Sequence, residues 1–175
     1  NIQNFSFNNI RKAEEANDKR PNIINCIDEN IRVELGKSTK MAGEASYMAL
    51  EAATRDLREK KIDALVTAPI NKHNIQSEAF KFSGHTEYLQ TIFNSDEVLM
   101  LMVSNLLKVG VVAGHVPMKD LTGHITTDRI YRKLKVMNQS MIEDFGIRKP
   151  KLAVLGLNPH SGDNGLLGNE ENEVI

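Results

Sequence analysis

The sequence predicts an α/β protein. Two long amphipathic helical stripes and several short apolar runs closed by Pro, Gly or polar residues carry that reading. Their order, helix, strand, helix, strands, helix, strand, is that of an α/β fold, in which function gathers where strands end and loops begin.

Residues 1–20 are polar, rich in Asn and without a clear period, so no element is assigned there. Two apolar clusters follow, Ile23-Ile24 and Ile31/Val33, and each fits a short strand. Over residues 38–60, Met41, Ala45, Met48, Ala49, Ala52 and Ala53 recur at three-to-four spacing, which predicts an amphipathic helix. Arg55, Arg58 and Lys60 fall near its end, where cations suit the helix dipole. Residues 63–70, an apolar run closed by Pro69 and Ile70, predict a buried strand. A helix is expected through Tyr88, Leu89 and Ile92, with Thr86 as its N-cap or in its first turn. Residues 98–103 and 109–113 are two further runs that fit neighbouring strands, joined as a hairpin by a loose loop. Residues 127–145 carry Ile130, Leu134, Met137, Met141, Ile142 and Phe145, a second helical stripe, with Gly146 placed to end it. Residues 151–157 predict a last buried strand.

Composition narrows the function classes. With 41% hydrophobic residues the chain has enough apolar side chains for a core, and its 175 residues suit one domain or parts of two. The balance of 22 basic against 23 acidic residues excludes the usual nucleic-acid footprint. The basic cluster from Arg129 to Lys135 is interleaved with apolar residues and reads as a solvated helix face. The single cysteine, Cys26, permits no intrachain disulfide and suits a reducing cytosol. No apolar run is long enough for a membrane span, and residues 1–9 show no signal-peptide pattern. The chain begins without Met and stops as a helical pattern starts, so both ends read as cut.

Four segments carry candidate chemistry, each at the end of an apolar run or the start of a helix. In Thr67-Ala68-Pro69-Ile70-Asn71-Lys72, the Lys72 ammonium can meet a phosphate or carboxylate; alternatively Asn71 caps the next turn and Lys72 is solvated. In Ser83-Gly84-His85-Thr86-Glu87, His85 and Thr86 stand where a helix start offers N–H groups to an anion; alternatively Thr86 caps and His85 is a surface imidazole. His115, in Gly114-His115-Val116-Pro117, and His160, in Leu157-Asn158-Pro159-His160-Ser161-Gly162, each end an apolar run beside a proline. Each alone reads as readily as a core or loop histidine. Together, two imidazoles at adjacent sheet ends plus a ligand from elsewhere make an open site for Zn²⁺ or another divalent ion. His73 and His124 lack this context, and His124 is expected in a loop or cap role.

Taken in order, Val66-Thr67-Ala68-Pro69-Ile70-Asn71-Lys72, Gly84-His85-Thr86-Glu87, His115-Val116-Pro117, Gly156-Leu157-Asn158-Pro159-His160-Ser161-Gly162 and Gly168-Asn169-Glu170-Glu171 resemble the 4-hydroxythreonine-4-phosphate dehydrogenase family of vitamin B6 synthesis. The resemblance covers residues 38–175. It implies a three-layer α/β/α fold like that of isocitrate and isopropylmalate dehydrogenases, with two domains around a cleft. Both domains would be incomplete here, divided as residues 1–80 and 81–175. It implies His85 and Thr86 as substrate contacts, with Lys72 a weaker one, and His115 and His160 as metal ligands. A third ligand His, further Lys, Asn and Arg contacts and most of the nicotinamide site are expected after Ile175. The implied cofactors are NAD or NADP and a divalent ion, Zn, Mg or Co; no general base is assigned. The implied assembly is a cytoplasmic homodimer with shared active sites and neither nucleic-acid nor membrane partners. The expected reaction is oxidation and decarboxylation of 4-phosphooxy-threonine. Rival readings are a dehydrogenase of erythronate or threonate 4-phosphate, a non-catalytic binding module and a phosphotransacetylase-like acyltransferase.

Overall fold

A computed structural model describes residues 6–27, 31 and 34–175. The fold is of the α/β type, and the chain forms two compact units, Asn1–Asn94 and Ser95–Ile175.

In the first unit the polar opening contains a strand that periodicity did not reveal. β1 (Asn8–Ile10) pairs in parallel with β2 (Asn22–Ile24). Polar side chains fix that register, for the Asn8 amide donates to Asn22 Oδ1 at 3.0 Å. The Ile23-Ile24 expectation therefore holds, whereas Val33 lies outside the described residues.

α1 (Lys40–Arg58) starts where Thr39 Oγ1 accepts the Ala42 N–H, which satisfies one of the open amides of the first turn. Its buried face differs from the predicted stripe. Gly43, Leu50 and Thr54 point inward, while Met41 and Met48 are exposed. Gly43 explains the rotation. A β-carbon there would stand 1.9 Å from the Asn74 carbonyl oxygen, so the helix closes on the 74–75 turn backbone to backbone. The smallest residue, and not the largest, sets the contact face.

α2 (His85–Ile92) packs on the same core. Phe80 is fully buried, with the rings of Tyr47, Phe82 and Tyr88 at centroid distances of 6.0, 5.3 and 5.4 Å. Leu50 and Ile75 complete the cluster. Thr54 Oγ1 and the Tyr88 hydroxyl, 2.9 Å apart, join α1 to α2 inside it, so a buried polar pair is mutually satisfied.

In the second unit, β3 (Leu101–Val103) and β4 (Lys108–Gly110) form the expected antiparallel hairpin. A 3₁₀ turn at Met118–Asp120 and the short α3 (Leu121–His124) lead into α4 (Thr127–Glu143). α4 is capped by Thr126 Oγ1 and buries Ile130 and Met141 as its stripe predicts. Gly146, at φ +65°, follows, and the Ile147 N–H reaches back to the Met141 carbonyl. The basic cluster of α4 is only partly solvated. Lys133 is largely buried and bonds Glu97 Oε1 at 2.5 Å and the Val98 carbonyl; Arg132 pairs with Asp128 at 2.9 Å. α5 (Glu170–Glu173) ends the described chain.

Two predicted strands are absent. Residues 63–70 and 151–157 join no ladder among the described residues, and Val66 and Leu155 are 95% and 81% exposed. An apolar run becomes a strand only when a neighbouring edge receives its N–H and C=O groups, and no described strand pairs with either run.

Candidate functional site

In the first unit, Asn71 organises the turn after the 63–70 run. Its Oδ1 accepts the N–H groups of His73 and Asn74 at 3.0 and 3.2 Å, and its amide donates to Ser38 Oγ. The capping alternative for Asn71 is therefore the observed one. It leaves Lys72 exposed at the start of the turn with its chain directed at Gly84. A β-carbon on Gly84 would lie 3.6 Å from Lys72 Cε and 3.9 Å from Nζ. Gln76 links the same two segments, donating to the carbonyls of Lys72 and Phe82 at 3.1 and 2.9 Å.

Gly84 is the N-cap of α2, so Thr86 is a first-turn residue and not the cap. Gly84 itself has no side chain to cap that helix end. His85 and Thr86, both half-buried, thus stand at a helix start beside a lysine ammonium, a setting that favours a bound anion. The Glu87 carboxylate is 3.7 Å from the same Gly84 position and offsets part of that charge. His85 also borders an apolar cavity of about 280 Å³ between α1 and residues 65–70, whose wall includes Ser46, Leu50 and Thr67.

The second unit carries the other two candidates. His115 lies in the loop after β4, exposed, at φ +57°. Arg129 on α4 holds that loop's base: Nε donates to the Val112 carbonyl at 3.0 Å, and a terminal nitrogen contacts His124 Nδ1 at 3.1 Å. A guanidinium only donates, so His124 Nδ1 accepts and the His124 proton resides on Nε2. His124, expected in a loop or cap, instead ends α3 and braces Arg129.

His160 begins a left-handed turn. His160, Ser161, Gly162, Asp163 and Asn164 all have positive φ and helical ψ within Pro159–Gly165. Each L-residue there costs about 1–2 kcal/mol, so opposing contacts must hold the turn. Gly162 is indispensable for space: a β-carbon would meet the Gly168 carbonyl oxygen at 2.3 Å. The Gly162 carbonyl accepts the Leu167 N–H at 2.9 Å. At the base, Glu171 Oε1 accepts the N–H groups of Leu157 and Asn158 at 2.7 and 2.5 Å, and Oε2 accepts from the Asn158 amide at 3.0 Å. These donors, the Asn158 N–H foremost, hold the Glu171 carboxyl below its usual range.

The donor chemistry of His115 and His160, two exposed residues on loops of one unit, suits a divalent transition ion. Among the described residues, no group of three or more His, Cys, Asp or Glu side chains gathers in a way that would hold an ion by itself. Two imidazoles would leave an open site that other ligands must complete.

The sequence model of the family described as pyridoxal phosphate biosynthetic protein PdxA matches residues 1–175. The chain belongs to the PdxA family. A PdxA relative from Bacteroides thetaiotaomicron, named 4-hydroxythreonine-4-phosphate dehydrogenase, is 45% identical over 98% of this chain and 47% of its own length. A relative from Oceanobacillus iheyensis, named as a D-threonate 4-phosphate dehydrogenase, is 36% identical over 96% of this chain and 51% of its own. The crystal structure of a 4-hydroxythreonine-4-phosphate dehydrogenase from Burkholderia phymatum superposes with a TM-score of 0.76 at 34% identity, covering 98% of this chain and 52% of that one. The chain therefore spans about half the length of the curated PdxA relatives it matches.

Gln76, Arg129 and Glu171 escaped sequence reasoning in this PdxA chain. Each acts through distant backbone partners, which spacing does not encode. Glu171 alone carried a hint, as the end of the Gly168-Asn169-Glu170-Glu171 motif.

Proposed function

We propose that the protein oxidises and decarboxylates 4-phosphooxy-threonine with NAD⁺ or NADP⁺, aided by a divalent ion such as Zn²⁺, Mg²⁺ or Co²⁺, as a cytoplasmic homodimer. Membership of the PdxA family supports the reaction class. The single observation that carries the reading is the meeting of Lys72 with the Gly84-His85-Thr86 helix start, because a phosphorylated carboxylic acid needs fixed positive charge and donors there.

In this reading Lys72 supplies a point charge and the first-turn amides of α2 supply directed hydrogen bonds to an anionic end of the substrate. His85 and Thr86 orient that end. His115 and His160 would hold the ion, which when bound supplies Lewis acidity at the reacting hydroxyl. The carbinol hydrogen leaves as hydride to the nicotinamide, the hydroxyl proton goes to solvent or a base, and the resulting β-keto acid loses CO₂. No helix among the described residues is long and apolar enough to cross a membrane.

A second reading, oxidation of threonate or erythronate 4-phosphate, is favoured by the name of the Oceanobacillus relative. The same phosphate and carboxylate contacts serve both. The test is NAD(P)H formation by the full-length protein with each substrate, with and without a chelator. Turnover of 4-phosphooxy-threonine that a chelator abolishes is the expected result. Turnover of threonate 4-phosphate alone replaces the first reading with the second, and chelator-insensitive turnover removes the ion from it.

A further inference from the structure

We propose that Glu171 is the positioning residue of the His160 loop: its ionised carboxylate, at the centre of the loop, fixes the left-handed turn that presents the His160 imidazole. The proposal rests on the reading of His160 as a metal ligand.

Three observations carry it. First, the turn has almost no hydrophobic support. Gly162 is its one buried residue, while His160 and Ser161 are exposed, so packing does not select its conformation. Second, the Glu171 carboxylate bonds the base of the loop and lies near its middle. Its oxygens accept from Leu157 and Asn158 immediately before Pro159-His160, and Oε1 lies 3.3 Å from a β-carbon position on Gly156. Across the turn, Oε2 lies 3.2 Å from the equivalent position on Gly162. A single side chain thus spans the base and the crown of the segment that carries the ring. Third, the arrangement needs two acceptor oxygens. Oε1 serves two backbone donors, while Oε2 and Glu170 Oε2 share the Asn158 amide, at 3.0 and 2.7 Å. A Gln at 171 retains one oxygen and turns the other atom into a donor facing a donor, whichever way it is placed.

Glu171 does not itself need to meet the ion. It acts as the carboxylates behind metal-bound imidazoles do, by restricting the ligand's orientations, but through the backbone of Leu157 and Asn158 and not through the ring. Glu170 is the weaker partner, for its carboxylate accepts from the Asn158 side-chain amide and from neither backbone N–H at the base of the loop.

The experiment is Co²⁺ calorimetry on the full-length protein and its Glu171→Gln and His160→Ala variants, with amide hydrogen exchange on the same samples. Glu171→Gln is expected to weaken Co²⁺ binding by about 10- to 100-fold, the range for groups that orient metal ligands. Its melting temperature and far-ultraviolet dichroism should stay near the parent's. His160→Ala is expected to bind more weakly still. In the parent protein the Leu157 and Asn158 amides should exchange slowly although they lie outside any helix or ladder, and Glu171→Gln should release them. Parent-like affinity in Glu171→Gln alongside a loss in His160→Ala overturns the positioning role and leaves the metal reading standing. Parent-like affinity in His160→Ala overturns the metal reading and the proposal with it. Should Glu171→Gln fail to fold, fast exchange of both amides in the parent overturns the proposal without any variant.

Discussion

The two units hold their candidate residues by different means. In the first, His85 and Thr86 stand on a helix whose Tyr88 is locked into an aromatic cluster around Phe80. In the second, His160 stands on a left-handed turn held by a carboxylate, a few backbone bonds and glycines without room for a β-carbon. A packed helix fixes its side chains through non-directional burial, which tolerates small changes of shape. A hydrogen-bonded turn is fixed by directional contacts, each of which fails abruptly when one partner is lost. The difference therefore predicts that damage to the first unit appears mainly as lost stability, and damage to the His160 loop mainly as lost ligand geometry.

The largest effect should come from the aromatic core. Phe80→Ala removes a fully buried ring, which costs about 3–5 kcal/mol in unfolding free energy measured by denaturant titration. Its metal affinity at temperatures where it stays folded should remain that of the parent. A large change in metal affinity with little loss of stability would erase the contrast between the units. Gly162→Ala should behave in the opposite way. It combines a forced φ of +79° with a backbone clash, a distortion worth roughly 1–3 kcal/mol, and should show up first as weakened Co²⁺ binding.

How far the sequence reveals these features follows the same division. α1, α4 and the β3–β4 hairpin are legible because their signals are local: a three-to-four apolar period, or an apolar run on each side of a polar turn. Residues 63–70 and 151–157 read as strands for equally sound local reasons, yet strand formation depends on a partner edge that no local pattern supplies. The inward face of α1 departs from its apolar stripe because Gly43 permits a close approach that apolar content does not register. At the site, the residue types at Lys72, His85, Thr86, His115 and His160 were legible from their order along the chain. The supports beneath them, Gln76 and Glu171, were not, since their partners are backbone groups of other segments.

A smaller effect sharpens the picture of the first unit. Thr54→Val removes the hydroxyl that meets Tyr88 and should cost about 1 kcal/mol or slightly more, read as a lowered denaturation midpoint. Tyr88→Phe removes the opposite half of the same pair. The double variant should cost less than the sum of the two, because the bond between the two hydroxyls can be lost only once.

The smallest effect is a pH dependence in the second unit. The Lys133 hydrogen bond, foremost, holds the Glu97 carboxyl below its ordinary value despite some opposing burial. A carboxyl depressed in the folded state contributes stability that is fully present above the unfolded value of about 4.3 and is lost as pH falls through the folded one. Stability measured from neutral pH downward should therefore decline in that window, and Glu97→Gln should flatten the decline. An unchanged slope in Glu97→Gln would show that other carboxylates govern acid unfolding.

The proposed function divides the labour, with anion binding on α2 of the first unit and ion binding on the loops of the second. Metal content of the purified full-length protein tests it most directly. His85→Ala should retain the ion at the parent's stoichiometry, and His115→Ala should lose it. Retention of the ion by His115→Ala, or its loss from His85→Ala, would contradict the division.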